Sequence, residues 1–360
     1  MHSTETSRAE VIPLSTDLEL QRRFAVLKEP IPGNLRFGAL LEVLDRVAAE
    51  TALEYARAVD PEAYVVTAAV DEIVLRDVAD VTEDIRCLAR INRVGSSSME
   101  VGIRVESPRA HLASCYFTMV ARVGKGPAAR SLKLPPLTQA TDAERAREAR
   151  ALARRETWAR ATQSAEELPS REEFLLLRHL HDAQDRPGFD GLLAADLVTE
   201  TWERTFPEQE NNWQVIFGGY IMRRAYELSH ICAERVAAVR PVVAAVNRVN
   251  FFHPVQIGDK LHMTSRVAFT SGAAVCVETA IERVSRDRTA RALSNSCLFT
   301  FLNVDPSLAQ VDVPQIHPSN YGEDARYLEG RRNLASLSAR FGQRWLGAAL
   351  PRERVNPVPT

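Results

Sequence analysis

"QVIFGGYIMRRAYELSHICAERV", residues 214–236, decides how the rest of the chain is read. Ile221, Met222, Ala225, Leu228 and Cys232 recur at helical spacing, so the segment predicts a buried helix. Yet it opens on Gly218 and Gly219, and glycine weakens a helix interior by about 1 kcal/mol relative to alanine. At a first turn the same residues leave backbone N–H groups bare, with no helical carbonyl to meet them. A bare helix N-terminus can hold a carbonyl oxygen or an anion. Gly218 and Gly219 are therefore candidate donors to a developing oxyanion; tight packing against a strand is the plainer account, and both can hold.

Working outward, the same plan occurs earlier. "NLRFGALLEVLDRVAAETALEYA" from Asn34 precedes "AYVVTAAVDEIVLRDVADVTEDIRCLARINRV", as the glycine-opened helix precedes "RPVVAAVNRVNFFHPVQIGDKLHMTSRVAF". Phe37-Gly38 aligns with Phe217-Gly218 at an offset of 180, and Ala68-Ala69-Val70 with Ala244-Ala245-Val246 at 176. A duplicated unit must be settled before any fold is assigned. In the first copy Leu40, Leu44, Val47 and Ala48 follow i, i+4, i+7, i+8. Leu41, Val43 and Ala49 fill the other sides, so this helix too should be buried. β-branched, partly alternating segments follow in each copy and end on "CYFTMVARV" and "CLFTFLNV". Each copy thus reads as α+β, one long buried helix wrapped by an antiparallel β-sheet.

The expected organisation is an N-terminal unit over 1–134, a charged helical linker over 135–187, a C-terminal unit over 188–305 and a tail over 306–360. The linker contains "TDAERAREARALARRETWAR" from Thr141, which predicts an exposed helix, and the tail a short helix at "NYGEDARYLEGRRNLASLSARF". Net charge is −2, so nothing in the overall balance points to nucleic acid or an anionic membrane. No apolar stretch approaches the ~18 residues of a membrane span, so no membrane insertion is expected. The first residues lack the basic-then-apolar order of a secretory signal. Five scattered cysteines, never in a CxxC pair, read as small buried residues in a reducing compartment. The expected location is cytoplasmic.

Asp45 stands out among the titratable residues. It lies two turns into the most apolar helix, and its neighbours Leu41, Glu42, Ala48 and Ala49 offer no cation. A carboxylate there is costly without a tertiary partner or a task. It is either a structural carboxylate bonded to a strand or, the favoured reading, a general base or nucleophile with a tuned pKa. Glu227, by contrast, has Arg223 and Arg224 within one turn, and a helix ion pair explains it. Asn211 and Asn212, before the second helix, can donate to a carbonyl or orient water, or simply cap. "RHLHDAQD" places His179 and His181 on different helix faces and reads as a solvated helix end rather than a metal site. His253 reads as structural. "VGKGPAA" lacks phosphate-loop spacing and no GxSxG occurs.

"IFGGYIMRRAYEL" and "LRFGALLEVLD" resemble the two helix motifs of double hot-dog acyl-CoA thioesterases. "FFHPVQIGD" and "YGEDARYLEGRR" are similar to further segments of the acyl-CoA thioesterase 9 branch. The resemblance covers roughly residues 20–335 and implies a tandem (double) hot-dog fold. It implies hydrolysis of acyl-CoA to free acid and CoA at a composite site between the repeats, an asparagine from one domain's loop working with an acidic residue of the other's helix. Six residues before Phe217 that asparagine falls on Asn211; the first copy has Ile31 there. The acidic position falls on Asp45, eight residues after Phe37, where single-domain relatives have nine; in the second copy Ala225 and Tyr226 offer no carboxylate. One competent site, Asn211 with Asp45 and the Gly218 and Gly219 amides, and one degenerate site are expected. No metal and no cofactor are expected, CoA being part of the substrate, and the family implies a homo-oligomer such as a trimer of double hot-dogs. A non-catalytic acyl-CoA sensor or scaffold is one alternative. A hot-dog enoyl-thioester hydratase or dehydratase is another, though neither copy has a histidine in the required loop.

Overall fold

A computed structural model of the chain describes residues 2–29, 31–124, 128–163, 168–210, 216–247 and 249–341. Within these residues six α-helices run Leu18–Phe24 (α1), Phe37–Arg57 (α2), Asp142–Gln163 (α3), Arg171–Gln184 (α4), Gly218–Ala233 (α5) and Tyr321–Phe341 (α6). The first repeat's strands are Arg8–Ile12 (β1), Tyr64–Val70 (β2), Ile73–Leu75 (β3), Ile85–Val94 (β4), Ser98–Glu106 (β5), His111–Val123 (β6) and Arg130–Ser131 (β7). The second half has Leu192–Leu193 (β8), Val198–Arg204 (β9), Pro241–Val246 (β10), Val249–Phe251 (β11), Lys260–Ser271 (β12), Ala274–Val284 (β13), Arg291–Asn303 (β14) and Ile316–His317 (β15).

All but β8 and β15 join one sheet, whose main path runs β1-β4-β5-β6-β2-β11-β14-β13-β12-β9. The second half of that path mirrors the first. At the seam β2 pairs antiparallel with β11 through Val70 and Val249, and β3 with β10 through Val74 and Ala245. Joining the repeats edge to edge here satisfies backbone groups that would otherwise face solvent. Both repeats carry a bulge at the same place, Ala68 in β2 and Ala244 in β10. This is the tandem hot-dog arrangement, a long helix wrapped by antiparallel strands, twice.

The central helices α2 and α5 are buried for the reason their composition suggests. Leu40, Leu41, Leu44, Val47 and Ala48 are essentially without solvent exposure, as are Ile221, Met222, Ala225 and Cys232. The two helices also pack on one another, with Phe37 and Tyr226 edge to face at 5.7 Å between ring centroids. Their close approach rests on two glycines. A Cβ on Gly38 would lie 3.0 Å from Arg223 Cγ and Tyr226 Cδ1; one on Gly219 would lie 3.0 Å from Glu42 Cα and Asp45 Cβ. Those contacts fix the internal register. Gly38 matches Gly219, Glu42 matches Arg223 and Asp45 matches Tyr226, so within the helices the offset is 181, not 180. Counted this way, Arg36 matches Phe217, and Asp45 follows that position by nine residues rather than eight.

The opposite face of each half-sheet is covered by the helix that follows it. Arg154 of α3 lies over the Tyr116 ring at 3.6 Å and its Nε donates to Glu100 Oε2 at 3.2 Å. Tyr327 of α6 meets Phe269 at 4.9 Å between centroids, and Gly330 presses its backbone on Cys276. The repeated unit in space therefore takes in helices from the segments set apart as linker and tail. α4 also docks: His181 Nε2 bonds Asp324 Oδ1 at 2.9 Å and Arg332 holds Glu173 by two bonds of 2.7 Å. The expected solvated end around His181 is instead tied to α6. Among the described residues no helix is long and apolar enough to cross a membrane.

Gly219→Ala tests the helix crossing. Alanine favours a helix by about 1 kcal/mol, but its methyl has to displace the backbone of Glu42, and overpacking of that kind costs about 1–3 kcal/mol. A net loss of stability is expected in guanidinium denaturation; a more stable variant would mean the helices are free to separate.

Candidate active site

The N-terminus of α5 has no cap of its own: Phe217 precedes it with extended backbone and no side-chain hydrogen bond, and no acidic residue lies in the first turn. The other repeat supplies the cap. The Gly219 N–H donates to Asp45 Oδ2 at 2.6 Å, and the Thr67 hydroxyl donates to Asp45 Oδ1 at 2.7 Å. Asp45 reaches from α2 and Thr67 from β2, just before the Ala68 bulge that interrupts the pairing with β6. The three residues come from a helix and a strand of one repeat and a helix of the other.

Asp45 has 0% of its surface exposed. Burial, which disfavours the charged form, pushes its pKa up from 3.8 to about 6; the Thr67 and Gly219 hydrogen bonds oppose this, and the nearby Glu42 charge adds to it. Glu42 itself is engaged across the helix crossing, Arg223 Nη1 lying 2.8 Å from Glu42 Oε2. Around the carboxylate, Phe217, Gly218, Phe251 and Thr67 are only partly buried. A Cβ on Gly218 would lie 3.2 Å from Asp45 Oδ2 and 3.1 Å from Phe251 Cζ, so the residue that starts α5 must be small.

The structure thus brings together Asp45, Gly218 and Gly219, and adds Thr67, which nothing in a β-branched strand sequence had marked. It differs from expectation on one role. The Gly219 amide is taken by Asp45, so the donor left for a substrate oxygen is Gly218, whose N–H has no helical carbonyl within reach. Asn211 lies outside the described residues, as does Asn212. Glu227 pairs with Arg224 at 2.6 Å and with Arg36, the ion pairing read for it. His253 is exposed, and its ring bonds the Leu293 carbonyl at 2.9 Å.

The pseudo-equivalent place, at the start of α2, has lost its polarity. Tyr226 stands where Asp45 would, and its hydroxyl bonds the backbone of Phe37 while burial raises its pKa. Val243, before the Ala244 bulge, stands for Thr67. Only a cavity of about 20 Å³ remains there, lined by Leu35, Phe37, Val242 and Val243 among others. That volume admits about one water molecule.

Residues 33–113 and 214–290 match the thioesterase superfamily. The chain is 28% identical over 351 residues to mitochondrial acyl-coenzyme A thioesterase 9 of Mus musculus, covering 91% of this chain and 77% of that protein. The Homo sapiens protein of the same name is 27% identical over 348 residues, with 91% and 76% covered. Among solved structures, an acyl-CoA hydrolase from Staphylococcus aureus is 22% identical over 41% of this chain and 90% of its own, at a TM-score of 0.39. The relatives correct one expectation. The mouse and human proteins are mitochondrial, which overturns the cytoplasmic location read from the order of the first residues and from the scattered cysteines.

Asp45→Asn keeps the shape of the cap and removes its charge. The folded protein holds the Asp45 proton more tightly than the unfolded chain, so ionising it costs the fold nothing below about pH 4, progressively more as pH rises to about 6, and about 3 kcal/mol beyond. The variant should exceed wild type in denaturant stability at pH 8, by up to that amount, with the gap closing near pH 4. A less stable variant at pH 8 would contradict a raised pKa.

Proposed function

From a chain that carries two hot-dog units of the thioesterase superfamily and resembles acyl-CoA thioesterase 9 over most of its length, we propose an acyl-CoA hydrolase with one working site, at the junction of α2 and α5. The observation that carries it is a buried carboxylate with a pKa of about 6, lodged at the N-terminus of the other repeat's helix. A base with a pKa near the working pH combines a large ionised fraction with adequate proton affinity.

The thioester carbonyl binds with its oxygen toward the Gly218 N–H, where the helix dipole favours developing negative charge. Asp45 takes a proton from water as the water oxygen attacks the carbonyl carbon. The tetrahedral intermediate collapses with cleavage of the C–S bond, and the proton on Asp45 passes to the departing sulfur, giving free acid and CoA. Direct attack by Asp45 to form an anhydride, which water then opens, uses the same groups. Thr67 and the Gly219 amide hold the carboxylate, and Asn211 orients the water or the carbonyl. No metal or cofactor enters this chemistry. Association of the double units into an oligomer such as a trimer belongs to the same reading; its support is that β1 and β9 end the sheet with one edge each unpaired among the described strands.

Release of CoA thiol across acyl groups from acetyl to palmitoyl tests this. Wild type should hydrolyse part of the panel with kcat/KM falling below about pH 6, where Asp45 takes up its proton. Asp45→Asn should lose about 10²-fold or more. Thr67→Val removes a bond that favours the charged form, so its acid limb should move to higher pH. Binding of acyl-CoA without turnover would favour the sensor; full activity in Asp45→Asn would exclude the assigned base.

A further inference from the structure

Away from that junction, on the face covered by the trailing helices, the two repeats share a second constellation. In the second repeat a cavity of about 160 Å³ lies between β12 and the first turn of α6, lined in part by Ala195, Val198, Arg266, Glu323 and Arg326. Glu323 is committed elsewhere, accepting from the Ser319 N–H at 2.8 Å, the Ser319 hydroxyl at 2.9 Å and Asn320 Nδ2 at 2.6 Å. Arg326 Nε approaches Glu278 only to 3.7 Å, and Arg266 makes no ion pair among the described residues. Glu278 stands beside both, 3.7 Å from Arg326 Nε and opposite Arg266 across the β12–β13 pair, so two guanidiniums line the cavity against one loosely held carboxylate.

The first repeat carries the same set. The bulges at Asn92 in β4 and Ala268 in β12 make Arg90 the counterpart of Arg266. The starts of α3 and α6 make Glu144 and Arg147 the counterparts of Glu323 and Arg326. Glu144 is likewise committed, to the Ala140 N–H at 2.8 Å and the Thr141 N–H at 3.0 Å. Arg147 Nε is buried without a hydrogen-bond partner. Burial first, and then the adjoining Arg147 charge, hold the Arg90 pKa below its usual value. One difference separates the copies. Thr4 bridges to Glu144, its amide and hydroxyl each 3.3 Å from Oε1, whereas the residue at that place in the second repeat is Ala195, on the cavity wall. The Asp45 and Thr67 pair is absent from the second repeat, but the two arginines and the glutamate are present in both.

We propose that the cavity under α6 binds a phosphate-type anion, free or carried by a small molecule, between Arg266 and Arg326. Guanidinium forks match phosphate oxygens in geometry and charge, and part-burial strengthens the attraction relative to open water. The alanine and valine of the wall leave apolar space for an organic group.

Thermal unfolding of the whole protein in inorganic phosphate, against sodium chloride at equal ionic strength, tests the site. Near-saturating phosphate should raise the midpoint by roughly 2–4 °C. The rise should vanish in Arg266→Gln and Arg326→Gln and persist in Arg90→Gln. Arg266→Lys keeps the positive charge and guards against a variant that merely fails to fold; the rise should shrink there too. A second arm with adenosine 5′-monophosphate names the source: a larger arginine-dependent rise than phosphate gives means a phosphate carried by an organic group, an equal or smaller one the free ion. No rise in either arm, or one of the same size in the Arg266 and Arg326 variants, overturns the proposal.

Discussion

The hydrogen bond from the Gly219 amide to Asp45 is the contact on which the rest of the molecule depends. It is short because two helices approach at glycines, and the approach is sustained by a sheet that runs unbroken from one repeat into the other. It spares α5 an orphan donor and gives a buried carboxylate a partner. It also leaves that carboxylate easier to protonate than an exposed one, because one amide and one hydroxyl do not make up for the lost water. Under the proposed function, stability and chemistry pull against each other at this one residue.

The same crossing shows how far the repeats have parted. Around the pseudo-twofold axis, equal positions carry Asp45 and Tyr226, Thr67 and Val243, Glu42 and Arg223. The first two pairs exchange polar for apolar groups and close the second cleft. The third places opposite charges face to face at 2.8 Å. A unit paired with its own copy would set Glu42 against Glu42, or Arg223 against Arg223, and like charges at that distance repel. The halves are complementary rather than alike.

Much of this was legible in the residues. The helical period, the doubling and the improbability of an aspartate among leucines and alanines all follow from patterns one or two turns long. The internal register was one residue off because Phe37 and Phe217 look alike in sequence, while the start of the helix and the glycine contacts are three-dimensional. Thr67 was missed since a threonine is ordinary in "YVVTAAV"; only the bulge and the carboxylate beyond it give it meaning. Setting the copies side by side holds the one signal that could have found it, a threonine where the other repeat has valine. The trailing helices hid their kinship because α3 is far richer in alanine than α6, their shared features being a glutamate and an arginine three residues apart.

Carrying both repeats on one chain has a consequence for how the site survives dilution. A catalytic junction made by two separate subunits exists only as a dimer, and its population falls as protein concentration drops below the dissociation constant. Here the carboxylate and the helix N-terminus that receives it are joined covalently through α3 and α4. Tethered partners meet at an effective concentration on the order of millimolar whatever the bulk level. A scarce protein of this design keeps its junction whole.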